Sequence, residues 1–206
     1  MSPGWVNFRT HQNIIVHIGQ CFHNVGCFHT RYEMFYLELA TGLRRGELFG
    51  LKWSDIDFQT GAIRIQRQVQ RLDGKVQETK LKTSNSYRTI LVDRDILNML
   101  ATMKAERKIQ SDYVFCSPTG GILEPGSQRK RLQRLLESCG MEKIRFHDLR
   151  HTFATLALQN GVDVKTLSGL LGHYSAGFTL DTYGHISTQM QQDAAQKVSG
   201  FLRMNM

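Results

Sequence analysis

Leu170-Leu171-Gly172-His173 is followed, seven residues after its histidine, by Leu180-Asp181-Thr182-Tyr183-Gly184-His185. The first piece ends a short apolar run on a glycine, as helices do, and sets a histidine just past the stop. The second presents one tyrosine ten residues after that histidine. Tyr183 is the candidate nucleophile of the chain. A phenol attacking phosphorus needs groups that bind and polarise a phosphate.

Upstream, Phe146-His147-Asp148-Leu149-Arg150 opens a helix expected to end before Gly161, with Asp163 capping the next helix over Val164 to Leu171. Spaced three apart on a helix, His147 and Arg150 project from one face and can reach a single oxyanion together. Arg44 follows a Thr41-Gly42 break, Lys82 lies in a loop between strands, and His173 follows a helix end. All sit where backbone geometry changes, which is where functional side chains are displayed. Two arginines can bracket the non-bridging oxygens of a phosphoryl group as negative charge grows in a pentavalent transition state.

The elements between these residues mix helix with a little sheet. Thr30 and Glu33 form a capping-box pattern before Met34, Phe35, Leu37 and Leu39, which predicts a helix to about Ala40. A second helix over Leu43 to Leu51 turns back over it. Ser54 to Asp57 and Gln59-Thr60-Gly61 read as turns. Ile63, Ile65 and Val69 alternate with polar residues, Asp73-Gly74 is a hairpin turn, and strands are expected near 75–80 and 88–92. Asp93 caps a helix to about Lys108, Tyr113 to Phe115 is extended, and another helix covers Ser127 to Ser138. That last helix carries Arg129, Lys130, Arg131 and Arg134, which can follow a phosphate backbone or form a solvated face. The expected class is mainly α with a small three-stranded antiparallel β-sheet.

The 206 residues, 41% of them hydrophobic, suffice for one domain with a core of its own. Lys and Arg number 26 against 18 Asp and Glu, a net charge of +8, so a polyanion is the first partner to consider. Four cysteines and the absence of an apolar leader or an 18-residue apolar run point to a cytoplasmic protein without a membrane span. Residues 1–29 show no clear period beyond a short strand-like run at 13–18. Their small duplication, Cys21-Phe22-His23 and Cys27-Phe28-His29, has zinc-type ligands in a spacing that matches no usual structural zinc pattern, so no metal site is assigned.

Five segments, taken together, resemble the catalytic domain of tyrosine recombinases, specifically phage and conjugative-transposon integrases. They are Thr41-Gly42-Leu43-Arg44-Arg45-Gly46-Glu47-Leu48, Lys82-Thr83 with Arg88-Thr89-Ile90, His147-Asp148-Leu149-Arg150-His151-Thr152-Phe153-Ala154, Leu171-Gly172-His173, and Thr182-Tyr183-Gly184-His185. The resemblance spans about residues 31 to 190, in the family's order and spacing. It implies site-specific DNA recombination or integration without cofactor or metal, on double-stranded DNA. Arg44 and Arg150 would clamp the scissile phosphate, and His147 and His173 would hydrogen-bond it and assist proton movement. Lys82 would be general acid for the leaving 5′ oxygen, and Tyr183 would form a 3′-phosphotyrosyl intermediate whose preserved ester energy allows resealing. The family pattern favours Lys82 over Lys80, two residues away on the same side of an extended strand. Glu47 and His185 are implied as supporting residues, and His151 as structural.

Two further expectations concern the ends. The tail, 188–203, carries Met190, Ala194, Ala195, Val198, Phe201 and Leu202 at helical intervals, a stripe that either packs on its own domain or joins a neighbouring copy in a homo-oligomer. Residues 1–29 resemble none of the DNA-binding domains that usually precede this domain, with 30–206 forming the catalytic unit. The chain is accordingly expected to be a truncated gene product, a fragment or a form whose N-terminus has lost its original sequence, with weakened recombination and site specificity. The alternatives are a non-catalytic DNA-binding remnant that regulates a full-length integrase, and a type IB topoisomerase-like activity.

Overall fold

A computed structural model describes residues 32–138, 140–173 and 175–183, together with helical positions 195, 199 and 203. Helices predominate. Helix α1 (Tyr32–Thr41) and the short α2 (Arg45–Gly50) form the pair expected around the Thr41-Gly42 break. Helices α3 (Arg94–Ala105), α4 (Pro125–Ser138), α5 (Phe146–Gln159) and α6 (Val164–Leu171) follow the sheet, and residues 176–183 are helical again. Asp93 and Asp163 cap α3 and α6 as their positions predict, accepting the amides of Ile96 at 3.0 Å and Thr166 at 2.9 Å.

The strands divide differently from the single sheet expected. The alternating run breaks at Gln66 into β2 (Ala62–Ile65) and β3 (Arg67–Leu72). Among the described residues, strand β3 pairs with β4 alone (Lys75–Lys80), across the Asp73-Gly74 turn, with Leu72 opposite Lys75. Strand β2 is instead the centre of a three-stranded antiparallel sheet, between β1 (Ile56–Asp57) and β5 (Arg88–Leu91). Residues 56–57, read as turn, are therefore a strand. Arg67 explains why the pattern misleads: it falls on the inward side of the period-two run, and its guanidinium is neutralised by buried Asp55.

One large apolar cluster joins α1, α2, the β2–β5 face, α3 and α4 to the start of α5. Phe146, the first residue of α5, packs edge-on against both Phe35 and Phe49 at 5.7 Å between centroids, which fixes where α5 begins. The next residue is His147. A second, smaller cluster of Ala154, Leu158, Leu167, Leu171 and Tyr183 binds α5, α6 and the 176–183 helix together. The site residues lie between these two cores.

Candidate active site

Two left-handed glycines organise the arginines. Gly42, between α1 and α2, and Gly172, the C-cap of α6, both have φ of 63°. At Gly42 a Cβ would lie 2.3 Å from the Phe153 ring, so no side chain fits there without displacing α5 packing. The glycine carbonyls are used crosswise. Arg150 on α5 donates to Gly42 O and Leu171 O, both at 2.7 Å, while Arg44 beside Gly42 donates to Gly172 O at 2.7 Å. Arg44 and Arg150 are thus tied to each other's supporting turn, and α1, α5 and α6 cannot shift independently.

Glu47 lies at the centre of this frame. Its carboxylate takes the Arg44 amide at 2.9 Å, the Arg44 guanidinium at 2.8 Å and the Arg88 guanidinium at 2.8 and 3.0 Å. Burial acts to raise its proton affinity, but the hydrogen bonds and charge of Arg88, with those of Arg44, outweigh it and hold the carboxyl below the usual range. Arg88 lies within one of the five resemblance segments, whose pattern assigns it no role. It also donates to Leu170 O at 2.6 Å, bridging β5 to α6. A signal for it existed: Arg88 shares the register side of buried Ile90, and an inward arginine demands an acid.

Arg150 is 2% exposed, and burial, followed by the charge of Arg44, brings its proton affinity down to about 10, still a cation at neutral pH. His147 lies exposed along the edge of a groove, and His173 is half-buried. Both are pushed down to about 4, His147 by burial of its inner side and then the neighbouring His151, His173 by burial and then Arg150. Each is therefore a neutral imidazole at neutral pH. Nδ1 of His173 meets the hydroxyl of buried Thr179 at 2.8 Å, which orients the ring.

The ring of Tyr183 is part of the smaller core and 4% exposed. Its hydroxyl lies 2.8 Å from Nδ1 of His151, the residue read as structural. Spacing could have flagged that histidine, because His151 is one helical turn beyond His147 and shares its face. Lys82 is exposed in the loop after β4. That loop is anchored by buried Leu81 and a 2.9 Å contact between the Thr83 and Ser86 hydroxyls, and its Asn85 carbonyl abuts Gly172. The lysine loop therefore packs on the turn that carries His173. Lys80 closes the β3–β4 ladder opposite Arg67.

Beside His147 opens a groove of about 1090 Å³, lined among others by Arg45, Gln68, Gln70, Arg71, Arg129 and Lys130. Of the four basic α4 residues singled out, Arg129 and Lys130 line it, whereas Arg131 and Arg134 do not. Among the described residues no group of three or more His, Cys, Asp or Glu is placed to hold a metal ion, and no helix is long and apolar enough to cross a membrane. The Cys-His duplication at 21–29, His185 and most of 188–203 lie outside the described residues.

Residues 18–190 match the model of the phage integrase family, and the chain belongs to that family. It is 30% identical over 193 residues to a XerC-like tyrosine recombinase of Caldanaerobacter subterraneus, an alignment covering 83% of this chain and 49% of that protein. It is also 30% identical over 185 residues to the ICEBs1 integrase of Bacillus subtilis, covering 85% and 49%. The chain thus spans about half the length of the curated relatives it matches. In fold it is similar to the Tn1549 transposon integrase solved in complex with transposon right end DNA, with a TM-score of 0.78 at 21% identity over 97% of this chain and 67% of that one. The mainly helical fold with small antiparallel sheets is the one shared with the Tn1549 integrase structures.

Proposed function

We propose that this chain cleaves and rejoins double-stranded DNA at specific sites, with Tyr183 as nucleophile and a 3′-phosphotyrosyl intermediate, in the integration or excision of a mobile element. The observation that carries the reading is the crosswise anchoring of Arg44 and Arg150 on Gly172 and Gly42. Such a frame holds two cations ready for a phosphate, with no reorganisation needed when charge develops on it. Membership of the phage integrase family and the similarity to recombinases and integrases support the same reaction class.

In this scheme the arginines stabilise the non-bridging oxygens, and neutral His147 and His173 donate hydrogen bonds to them. Oη of Tyr183 attacks phosphorus, the P–O5′ bond breaks, and Lys82 protonates the departing 5′ oxygen. The phosphotyrosyl ester keeps the bond energy, so a 5′ hydroxyl from another strand reseals the backbone without a nucleotide cofactor or a metal. The groove beside His147 and the net charge of +8 suit a duplex backbone, with Arg129 and Lys130 as contacts. Copies of the chain assemble on DNA through the apolar stripe of 188–203, a reading that a measured oligomer surviving deletion of 190–206 would contradict. The reaction takes place in the cytoplasm, with the chromosome.

The test is incubation with a nicked suicide duplex carrying the element's attachment site. A covalent protein–DNA adduct is expected. Binding with a steep salt dependence but no adduct would identify a non-catalytic DNA-binding form instead, and supercoil relaxation without strand exchange would identify a topoisomerase-like reaction.

A further inference from the structure

One titratable side chain touches the candidate nucleophile yet has no part in the scheme above. His151 Nδ1 is 2.8 Å from the Tyr183 hydroxyl, across 32 residues of sequence. The two rings lie 5.8 Å apart at 59°, and His147 stacks edge-on against His151 at 4.7 Å. Ala154, Leu158, Leu167 and Leu171 hold the phenol ring in the smaller core, so its hydroxyl is aimed at the imidazole.

The chemistry needs such a partner. Burial pushes Tyr183 up to about 12, against the opposing charge of Arg150, so at neutral pH the phenol is protonated and a poor nucleophile. Among the described residues, the other two histidines are differently engaged: Nδ1 of His173 is on Thr179, and His147 lies along the groove. His151 is the imidazole in hydrogen-bond contact with the atom that must lose a proton.

We propose that His151 is a catalytic base that takes the Tyr183 proton during cleavage and returns it during rejoining; this rests on the reading of Tyr183 as nucleophile. His151 then carries its own proton on Nε2 and presents the Nδ1 lone pair to the phenol. As Oη forms its bond to phosphorus, the phenolic proton passes to Nδ1 and His151 becomes an imidazolium. The P–O5′ bond breaks with its electron pair on O5′, which receives a proton from Lys82. In the reverse direction the incoming 5′ hydroxyl gives its proton to Lys82, the P–Oη bond breaks, and Nδ1 returns a proton to Oη. Among the described residues, the titratable and charged groups around His151 include His147 and Arg150 on its own helix, Tyr183 on the 176–183 helix and His173 beyond α6, whose proton affinity His151 helps to depress. Among these cations and imidazoles the imidazolium is short-lived, offset by the negative charge on the phosphoryl oxygens.

The experiment is single-turnover cleavage of the nicked suicide duplex, made with a 5′-bridging sulfur so that the leaving group needs no acid. Wild type, His151→Gln, His151→Ala and Tyr183→Phe are compared from pH 5 to 9, with DNA affinity and melting temperature measured alongside. Glutamine keeps an acceptor for the phenol and no exchangeable lone-pair base, so His151→Gln is expected to bind DNA normally and form adduct more slowly by on the order of 10²-fold. The acid limb of its rate–pH profile should vanish, and added imidazole should partly restore His151→Ala. Wild-type rate and pH profile in His151→Gln overturn the proposal while leaving Tyr183 as nucleophile. A slowing equal at every pH and matched by lost DNA affinity assigns His151 a structural role and also overturns it. No Tyr183 adduct in wild type overturns the nucleophile reading itself.

Discussion

Arg88 and Glu47 form a two-point ion pair beneath the candidate site, with Nη2 to Oε2 at 2.8 Å and Nη1 to Oε1 at 3.0 Å. Side-chain exposure is 7% for Arg88 and zero for Glu47, and the same carboxylate also holds Arg44. Removing the charge leaves Arg88 buried without its counterion, a change that costs about 3–5 kcal/mol in comparable pairs. Glu47→Gln is expected to lose about that much stability in urea unfolding, and to slow DNA cleavage because Arg44 loses its alignment. The sign with pH follows from the lowered carboxyl: the pair's stabilisation is present above the unfolded carboxylate value and is lost as pH falls through the folded one.

The crosswise glycines make a graded prediction. Alanine at Gly172 meets the Arg88 guanidinium, held by Glu47, at 2.9 Å, so strain on that ion pair joins the left-handed backbone cost of about 1–2 kcal/mol. Alanine at Gly42 adds a 2.3 Å clash with the Phe153 ring and should cost more, about 3 kcal/mol in all. Thermal melting of Gly172→Ala and Gly42→Ala checks the order. Equal losses would show that Phe153 yields freely.

His147 and His173 predict an acid-sensitive fold. Their folded values, about 4, lie below the ordinary histidine value near 6.5, so between those limits the unfolded chain binds protons that the folded chain does not. Stability is full above about pH 6.5 and declines as pH falls toward 4. In histidine ring NMR two resonances should hold their neutral shifts through pH 6 and titrate near 4. Midpoints near 6.5 for both would refute the neutral-donor assignment.

Lys82 and Lys80 are separable by leaving group. Lys82→Ala is expected to cut cleavage of ordinary DNA by roughly 10²–10⁴-fold and to approach the wild-type rate on the 5′-bridging sulfur substrate. Lys80→Ala, at the end of the β3–β4 ladder, should show no such rescue. The reverse pattern would move the acid to Lys80.

Much of this was legible in the chain. Helix boundaries around Asp93, Gly161 and Asp163 are local chemistry, and the structure places them within a few residues. The sheets were less readable, because the break at Gln66 leaves Ile65 and Val69 in the same phase, and the partner of inward Arg67, Asp55, is a tertiary neighbour. Positions that would carry phosphate chemistry stood out as polar residues at breaks in the backbone. Their supports did not: Gly42, Gly172 and Leu171 act through carbonyl oxygens, which a sequence does not distinguish. Arg88 and His151 are ordinary residues of a strand and a helix until their long-range partners, Glu47 and Tyr183, are known.

Tyr183 is proposed to take the DNA phosphate. The most direct measurement is peptide mapping by mass spectrometry after trapping on the nicked suicide duplex. The prediction is a single peptide containing Tyr183 joined to a 3′-phosphate, and no adduct in Tyr183→Phe. Attachment at any other residue, or an adduct that persists in Tyr183→Phe, would contradict it.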